Sequence, residues 1–267
     1  ILKDQLPAEL KEEAWKQLRR RAIEPYQKMI RGDKSLCTWA TKTNNWNAVC
    51  HAGIIIAGLE SLADAGERAE LLVGAEKYLE YYWKGFTDDG YCSEGIGYWN
   101  YGFGHFVLMA EVVLRATGGR VNWYEGGKVR GAALFPEKIE MAPGVFPSIG
   151  DCVLRPEPTP WIRAISRQRL FAGKDETVEV PAKVQMSKVM LYDLAAMGFP
   201  LLPLPAKEAA VDHKPDPLRG WFPDAGVLVA RPADGSRSSL SVTLKGGHNG
   251  EHHNHNDVGE FVVGVNG

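Results

Sequence analysis

The fold is decided by three segments near the end of the chain, Gly226-Val-Leu-Val-Ala-Arg231, Ser238-Ser-Leu-Ser-Val-Thr-Leu244 and Glu260-Phe-Val-Val-Gly-Val265. Their apolar residues recur largely with a period of two. Because successive side chains of an extended chain point to opposite faces, this period predicts β-strands. The strands follow a long region with a different pattern.

Residues before about 199 show helical spacing. Apolar residues three and four apart predict helices at residues 7–31, 46–65, 67–83 and 95–117, with shorter candidates at 159–171 and 184–197. The Pro- and Gly-rich stretch at 125–160 is a candidate binding loop. Five prolines then fall within residues 199–217 and break any regular element. Helices followed by strands predict an α+β fold, with a helical domain at 1–198, a Pro-rich linker at 199–222 and strands at 223–267.

The composition excludes several classes of protein. With 45% hydrophobic residues among 267, the chain is not disordered, and its net charge of −2 argues against nonspecific nucleic-acid binding. The longest nearly uninterrupted apolar stretch, residues 48–59, is too short for a membrane span. The chain opens at Ile1 without an initiator Met and stops just after a strand, so we expect a piece of a longer protein. Four cysteines without CxxC spacing are expected in the core, with one disulfide left open: Cys37, Cys50, Cys92 and Cys152.

The most informative segment is Gly246-Gly-His-Asn-Gly-Glu-His-His-Asn-His-Asn-Asp257, which holds four of the seven histidines directly before a strand. On an extended backbone, His253, His255 and Asp257 would project to one side. Imidazole nitrogens and carboxylate oxygens are zinc ligands. The spacing therefore indicates a functional loop, and a merely solvent-exposed His-rich loop is the alternative.

A second segment, Thr41-Lys-Thr-Asn-Asn-Trp-Asn-Ala-Val-Cys-His51, places three Asn residues around a Trp at a predicted helix start. Carboxamide groups beside the first backbone N–H groups of a helix favour an anion or a carboxylate. Simple N-capping by Asn44 or Asn45 is the structural alternative. His51 is either a site residue or a core histidine.

A third segment is Asp89-Gly-Tyr-Cys-Ser-Glu-Gly-Ile-Gly-Tyr-Trp-Asn-Tyr-Gly-Phe-Gly-His105. Tyr98, Tyr101 and His105 are three and four residues apart, so they are predicted to share a helix face. A phenol acts as base or acid once a neighbouring cation or metal lowers its pKa. Aromatic packing between helices is the alternative. Candidates for stacking on a sugar are Trp46, Trp83 and Trp99.

Taken in order, Asn-Asn-Trp, Asp-Gly-Tyr…Glu-Gly…Tyr…Tyr-Gly and His-x-His-x-Asp-x-Gly-x-Phe resemble the heparinase II/III-like polysaccharide lyases and their alginate lyase relatives. The resemblance covers essentially the whole chain, although the proteins of that family are longer. It implies a partial (α/α) toroid helical domain followed by the start of an antiparallel β-sandwich domain. The active site would lie in the cleft between the two domains.

The resemblance also implies β-elimination at a uronic acid within an acidic polysaccharide. Asn45 falls on the residue that neutralises the substrate carboxylate, and Tyr101 falls on the catalytic tyrosine, with Tyr98 as the alternative. His253 falls on the histidine that assists at the carboxylate or acts as base for the opposite C5 epimer. The substrate-binding candidates around them are Asn44, Trp46, His51, Glu94, Trp99 and His105.

By the same resemblance, His255 falls on a ligand of a structural Zn²⁺ whose other ligands come from later strands, so the zinc site would be incomplete here. Asp257 lies nearer to His255 along the chain than the aspartate ligand of that family should, so it is not assigned to that metal. Arginines are candidates for contacts to substrate carboxylates or sulfates: Arg163, Arg167 and Arg169. The implied location is periplasmic or secreted in a bacterium. Which uronate polymer is cleaved stays open.

Three other functions fit parts of the sequence. A metallohydrolase would use His253-x-His255-x-Asp257, although Val258 stands where its HxHxDH motif needs His. An (α/α)-barrel glycoside hydrolase would use two carboxylates. A non-catalytic protein would bind the glycan without cleaving it. The carboxylates available to the glycoside hydrolase are Asp89, Glu94 and Asp151.

Overall fold

The computed structural model describes residues 6–171, 218–233 and 235–266. Within these ranges the chain forms eight α-helices, followed by one four-stranded antiparallel sheet. The predicted α+β class is therefore confirmed. The predicted helix at 184–197 and the prolines at 199–217 lie outside the described residues.

The helices follow the predicted boundaries within a few residues. Two short π-helices join neighbouring α-helices without a break in the helical backbone. Arg19–Ile23 joins α1 to α2, and Trp99–Phe103 joins α5 to α6. The candidate loop at 125–160 was wrong in part, because it contains α7 despite an internal proline. The helices are α1 (Ala8–Leu18), α2 (Glu24–Ile30), α3 (Asn45–Ser61), α4 (Ala65–Trp83), α5 (Gly95–Tyr98), α6 (Gly104–Ala116), α7 (Val129–Ile139) and α8 (Pro160–Phe171).

α3 begins at Asn45, one residue before the predicted start at position 46. Asn44 has extended backbone angles, and its side chain accepts the backbone N–H of Trp46 at 3.3 Å. Asn44 is therefore the N-cap, and Asn45 is the first helical residue. This shift leaves the Asn45 side chain available for other contacts.

The sheet has the order β1-β2-β3-β4, with every neighbouring pair antiparallel. β1 lies within residues 199–222, which were predicted to form a linker, so the sheet begins earlier than predicted. The loop between β3 and β4 is the His-rich segment. The strands are β1 (Arg219–Phe222), β2 (Val227–Ala230), β3 (Leu240–Lys245) and β4 (Phe261–Val265).

The two faces of the sheet have different surroundings. Phe222, Val227 and Val229 are fully buried in the same core as the helices. The other face is apolar and open, with side chains 46–66% exposed: Trp221, Leu240, Leu244, Phe261, Val263 and Val265. In the sheet register, Leu240 lies opposite Val265 and Leu244 lies opposite Phe261.

The covered face is attached to the C-terminal end of α7. Arg231 donates to the carbonyl oxygens of Glu140 at 2.6 Å and Lys138 at 2.7 Å. Such carbonyls at a helix end lack partners within the helix. A Cβ on Gly220 would lie 1.9 Å from the Lys138 carbonyl oxygen, so only glycine allows this close approach. The contact fixes the sheet, and with it the β3–β4 loop, against the helices.

The arginines of α8 hold that helix in place. Arg169 forms a bidentate pair with the fully buried Glu111 at 2.6 and 2.8 Å. Arg167 pairs with the buried Glu137 at 2.9 and 2.7 Å, and Arg163 approaches the same carboxylate at 3.9 Å. These ion pairs anchor α8 to α6 and α7, and a contact of the three arginines with the substrate stays a prediction.

None of the described helices is long and apolar enough to cross a bilayer.

All four cysteines are free thiols. The disulfide that the sequence left open is therefore not formed.

Candidate functional site

Asn45 is held at the start of α3 by a buried carboxyl group. The Asn45 backbone N–H is one of the first-turn donors that lack a partner within the helix. Glu94 accepts this N–H at 3.1 Å and the Asn45 side-chain Nδ2 at 2.6 Å. Burial raises the pKa of Glu94, against the opposing effects of the Asn45 hydrogen bonds and the nearby His253. The pair thus sets an ordered carboxamide beside a carboxyl group whose neutral form is favoured by burial.

The His-rich loop begins after Lys245, and its returning end pairs with the Lys245 backbone. The Lys245 carbonyl accepts the N–H of Gly259 at 2.8 Å, and the Lys245 N–H donates to Glu260 at 2.9 Å. The Lys245 side chain is 1% exposed, and its Nζ binds Glu251 in the middle of the loop at 2.5 Å. The loop is therefore closed at its base and tied at its centre.

Two adjacent histidines of this loop contact different parts of the helical domain. His252 Nε2 lies 2.8 Å from Thr43 Oγ1, just before α3. His253 Nδ1 lies 3.0 Å from Asp151 Oδ2, and its Nε2 lies 3.4 Å from Glu94 Oε1. The loop therefore brings together the start of α3, the turn before α5 and the segment after α7.

Tyr98 forms an aromatic wall beside His253. The two rings are stacked with centroids 4.0 Å apart and planes 27° apart. The Tyr98 hydroxyl also donates to Asp151 Oδ2 at 3.3 Å. His253 has a φ of +53°, a left-handed conformation that costs a non-glycine residue roughly 1 kcal/mol. The contacts to Tyr98 and Asp151 therefore hold a backbone that is unfavourable on its own.

Asp151 is placed by two turns in close contact. Gly95 has a φ of +80°, and a Cβ there would lie 2.3 Å from the carbonyl oxygen of Ile149. Gly150 has a φ of +74°, and its Cβ would lie 3.0 Å from the Glu94 backbone. Both positions therefore require glycine. The contact between these turns brings the Asp151 and Glu94 carboxyl groups to the two nitrogens of one imidazole.

Tyr101 and His105 form a separate pair, with ring centroids 4.9 Å apart in an edge-on arrangement. His105 Nδ1 also bonds the Tyr101 carbonyl at 2.7 Å, and burial lowers the pKa of His105. Gly102 packs against Asn45, since a Cβ on Gly102 would lie 3.0 Å from Asn45 Cβ. The π-helix at 99–103 thus packs against the start of α3 through Gly102, while Tyr98 contacts His253.

The prediction that His51 contacts the substrate is wrong. His51 is fully buried, and its ring packs edge-on against Trp39 and Tyr26 at 4.8 and 5.5 Å. Its Nδ1 lies 2.8 Å from the Asn47 carbonyl. Its Nε2 is buried without a hydrogen-bond partner among the described residues. His51 is therefore a neutral core histidine.

The burial of His51 predicts a loss of stability in acid. Burial lowers its pKa to about 4, whereas the unfolded chain has a value near 6.5. Protonation therefore favours the unfolded state: the contribution is complete above about pH 6.5 and is lost as the pH falls toward 4, by about 3 kcal/mol. Urea unfolding of the parent and of His51→Gln across this range measures the loss.

The His51→Gln variant should show a flatter pH dependence than the parent. Equal slopes would contradict the assignment, as would an NMR titration showing that His51 in the folded parent protonates near pH 6.5. The NMR measurement decides the matter even if the variant does not fold.

The two predicted stacking residues at the site differ in exposure. Trp99 is fully buried, and its Nε1 donates to the Ala132 carbonyl at 2.8 Å, so the prediction that it binds sugar is wrong. Trp46 is 60% exposed beside Asn45 and is accessible to a ligand. Asn44 serves as the helix cap.

The described residues do not form a zinc site. His255 is 59% exposed, and its Nε2 lies 3.6 Å from Asp151. Asp257 instead accepts the Gly150 N–H at 3.1 Å. Within residues 6–171, 218–233 and 235–266, no three His, Cys, Asp or Glu side chains are arranged to hold a metal. Zinc at His255 stays a prediction, and the chemistry below uses none.

Sequence reasoning missed two features of the site. Asp151 was considered only as a glycoside hydrolase carboxylate, because nothing along the chain connects it to His253. The Lys245–Glu251 pair could have been predicted in part, since the alternation along β3 places Lys245 on the buried face of the sheet. A charged residue at such a position needs a partner.

No known protein family matches the chain, and no curated protein matches it in sequence. The geometry and chemistry of this site are therefore the basis for a functional proposal.

Proposed function

We propose that the protein is a polysaccharide lyase of the heparinase II/III-like type, which cleaves a uronate-containing polysaccharide by β-elimination. One observation carries the proposal: groups from three distant stretches of the chain meet at one place. They are the amide of Asn45, the imidazole of His253 and the phenol of Tyr98, and Gly102, the residue after Tyr101, packs against Asn45.

The proposed chemistry begins at the substrate carboxylate. Removing the C5 proton places negative charge next to a group that is already anionic, so neutralising that group lowers the barrier. The Asn45 carboxamide, at the positive end of α3, supplies a donor for it. His253 would act as the base for the opposite C5 epimer. Burial raises the pKa of Glu94, which disfavours a second negative charge beside the substrate anion.

The elimination itself needs a base and an acid. In the proposed step the Tyr101 phenolate takes the C5 proton, the C–H electrons form the C4–C5 double bond, and the C4–O bond breaks with its electrons on the leaving oxygen. The resulting phenol then passes that proton to the leaving oxygen, which restores the phenolate. Tyr98 is the alternative for this role, although its hydroxyl already contacts Asp151.

The finer architecture belongs to the same proposal. We propose that the helices are part of an (α/α) toroid and that the sheet is one layer of a β-sandwich. The open apolar face of the sheet supports the second part, because stacked sheets bury such faces against each other. We propose that the exposed Trp46 stacks on a sugar of the acidic polymer. The expected location of the protein is periplasmic or secreted.

The test is incubation with a panel of uronate polymers, including alginate, heparan sulfate and chondroitin sulfate. We expect ultraviolet absorbance from the new conjugated double bond, together with new reducing ends. The control is the same polymer with its carboxyl groups reduced to alcohols, which should not be cleaved. Binding without absorbance or new reducing ends would contradict the proposal and favour a non-catalytic glycan-binding protein.

A second candidate is a glycoside hydrolase, which is favoured by one observation. The carboxyl groups of Glu94 and Asp151 lie on opposite sides of the His253 imidazole. Burial raises the pKa of Glu94, as a general acid requires, and Asp151 would be the base. New reducing ends without any absorbance change would support this candidate against the lyase.

A further inference from the structure

Asp151 contacts several members of the candidate site through its two carboxylate oxygens. Oδ2 lies 3.0 Å from His253 Nδ1 and accepts the Tyr98 hydroxyl at 3.3 Å. Oδ1 lies 3.6 Å from His255 Nε2. Because Gly150 and Gly95 fix the turn that carries it, Asp151 is presented by a rigid backbone.

The partner of one imidazole nitrogen decides what the other can do. A neutral imidazole carries one N–H and one lone pair, and an ionised carboxylate only accepts hydrogen bonds. Asp151 therefore selects the tautomer of His253 with hydrogen on Nδ1. The lone pair is then on Nε2, which faces the Glu94–Asn45 pair with Oε1 of Glu94 at 3.4 Å.

The orientation of the ring is fixed as well as its tautomer. Tyr98 covers one face of the His253 imidazole at 4.0 Å, and Asp151 holds one edge. A flip of the ring would lose the bond at Nδ1, and a rotation would lose the stacking. In such imidazoles, the carboxylate bound to one ring nitrogen fixes the tautomer and the ring orientation, and thereby the reactivity of the other nitrogen.

We infer that Asp151 is the positioning residue of His253: its carboxylate holds the Nδ1–H tautomer, so that Nε2 is the basic atom presented at the Glu94–Asn45 pair. The inference rests on the proposed lyase function, in which His253 acts at the substrate. Asp151 itself touches no reacting atom in this scheme.

The experiment compares the parent with Asp151→Asn, a substitution that keeps the shape and removes the charge. Nitrogen-15 NMR of labelled histidines at about pH 8.5, where free imidazole is neutral, reports the tautomer. The His253 resonance is identified by its loss in His253→Gln. We expect Nδ1–H in the parent and a shift toward Nε2–H in Asp151→Asn, because the new amide can donate to Nδ1.

The kinetic result expected is a fall in kcat of about 100-fold, with KM changed by less than about twofold. Asp151→Glu, which restores the carboxylate, should recover part of kcat. Asp88→Asn is the matched control, since Asp88 pairs with Lys128 and its side chain is 88% exposed. This control should leave both kcat and the His253 tautomer unchanged.

Two results would overturn the inference. One is a parent His253 in the Nε2–H form, which needs no variant to be folded. The other is a loss of kcat in Asp151→Asn while the tautomer stays as in the parent, since that is a structural effect only. If the parent cleaves no uronate polymer, the lyase proposal fails, and the tautomer measurement still decides the role of Asp151.

Discussion

Tyr101→Phe is expected to lower kcat by about 1000-fold while leaving the affinity for the polymer nearly unchanged. The substitution removes only the hydroxyl that is proposed to carry the proton, and general acid–base groups contribute rates of this order. The ring and its edge-on contact with His105 remain. The measurements are the initial rate of absorbance increase and, separately, binding of an oligosaccharide to the variant.

Tyr98→Phe is the matched comparison. It keeps the stacking on His253 and loses the hydroxyl contact to Asp151, so we expect a fall of about tenfold. If instead Tyr101→Phe cleaves at the parental rate and Tyr98→Phe is inactive, the base is Tyr98. Equal, small effects of both variants would contradict a tyrosine base altogether.

Lys245→Met is expected to destabilise the protein by about 3–5 kcal/mol, because it leaves the Glu251 carboxyl group without its partner in a site that excludes water. Lys245 also lies 5.4 Å from the Tyr91 ring, a contact between cation and aromatic face that the methionine loses. Since Glu251 ties the middle of the His-rich loop, activity should fall with stability. Urea unfolding followed by circular dichroism measures the effect.

The double variant Lys245→Met/Glu251→Leu separates the two causes. It removes both charges together, so most of the lost stability should return. Activity should stay low, because the loop is no longer tied at its centre. Asp88→Asn, at an exposed ion pair, should leave the urea midpoint unchanged. A single variant as stable as the parent would show that the pair does not hold the loop.

The helices and strands could largely be predicted from the sequence, because local spacing determines them. The period of two gave β2, β3 and β4, and the apolar spacing gave most helices. α7 was missed because Pro136 and the surrounding glycines suggested a loop. β1 was missed because it has only four residues and is followed by Pro223. In both cases tertiary packing overrides the local pattern.

The site could be predicted only in part. Asn45, Glu94, Tyr98 and His253 were named from motifs, and the structure brings these four together. Their partners depend on contacts between residues far apart in the chain, such as the one between Asp151 and His253, 102 positions apart. The burial of His51 and Trp99 likewise depends on packing that no local motif records.

The contact between the sheet and the end of α7 has a consequence for which substitutions the protein can tolerate. Arg231 and Gly220 meet α7 through main-chain atoms, and every amino acid possesses a main-chain carbonyl. These two hydrogen bonds therefore do not depend on which side chains stand at positions 138 and 140. For these main-chain contacts a fixed identity is required of Arg231 and Gly220, so the attachment of the sheet to α7 depends on two residues outside the candidate site.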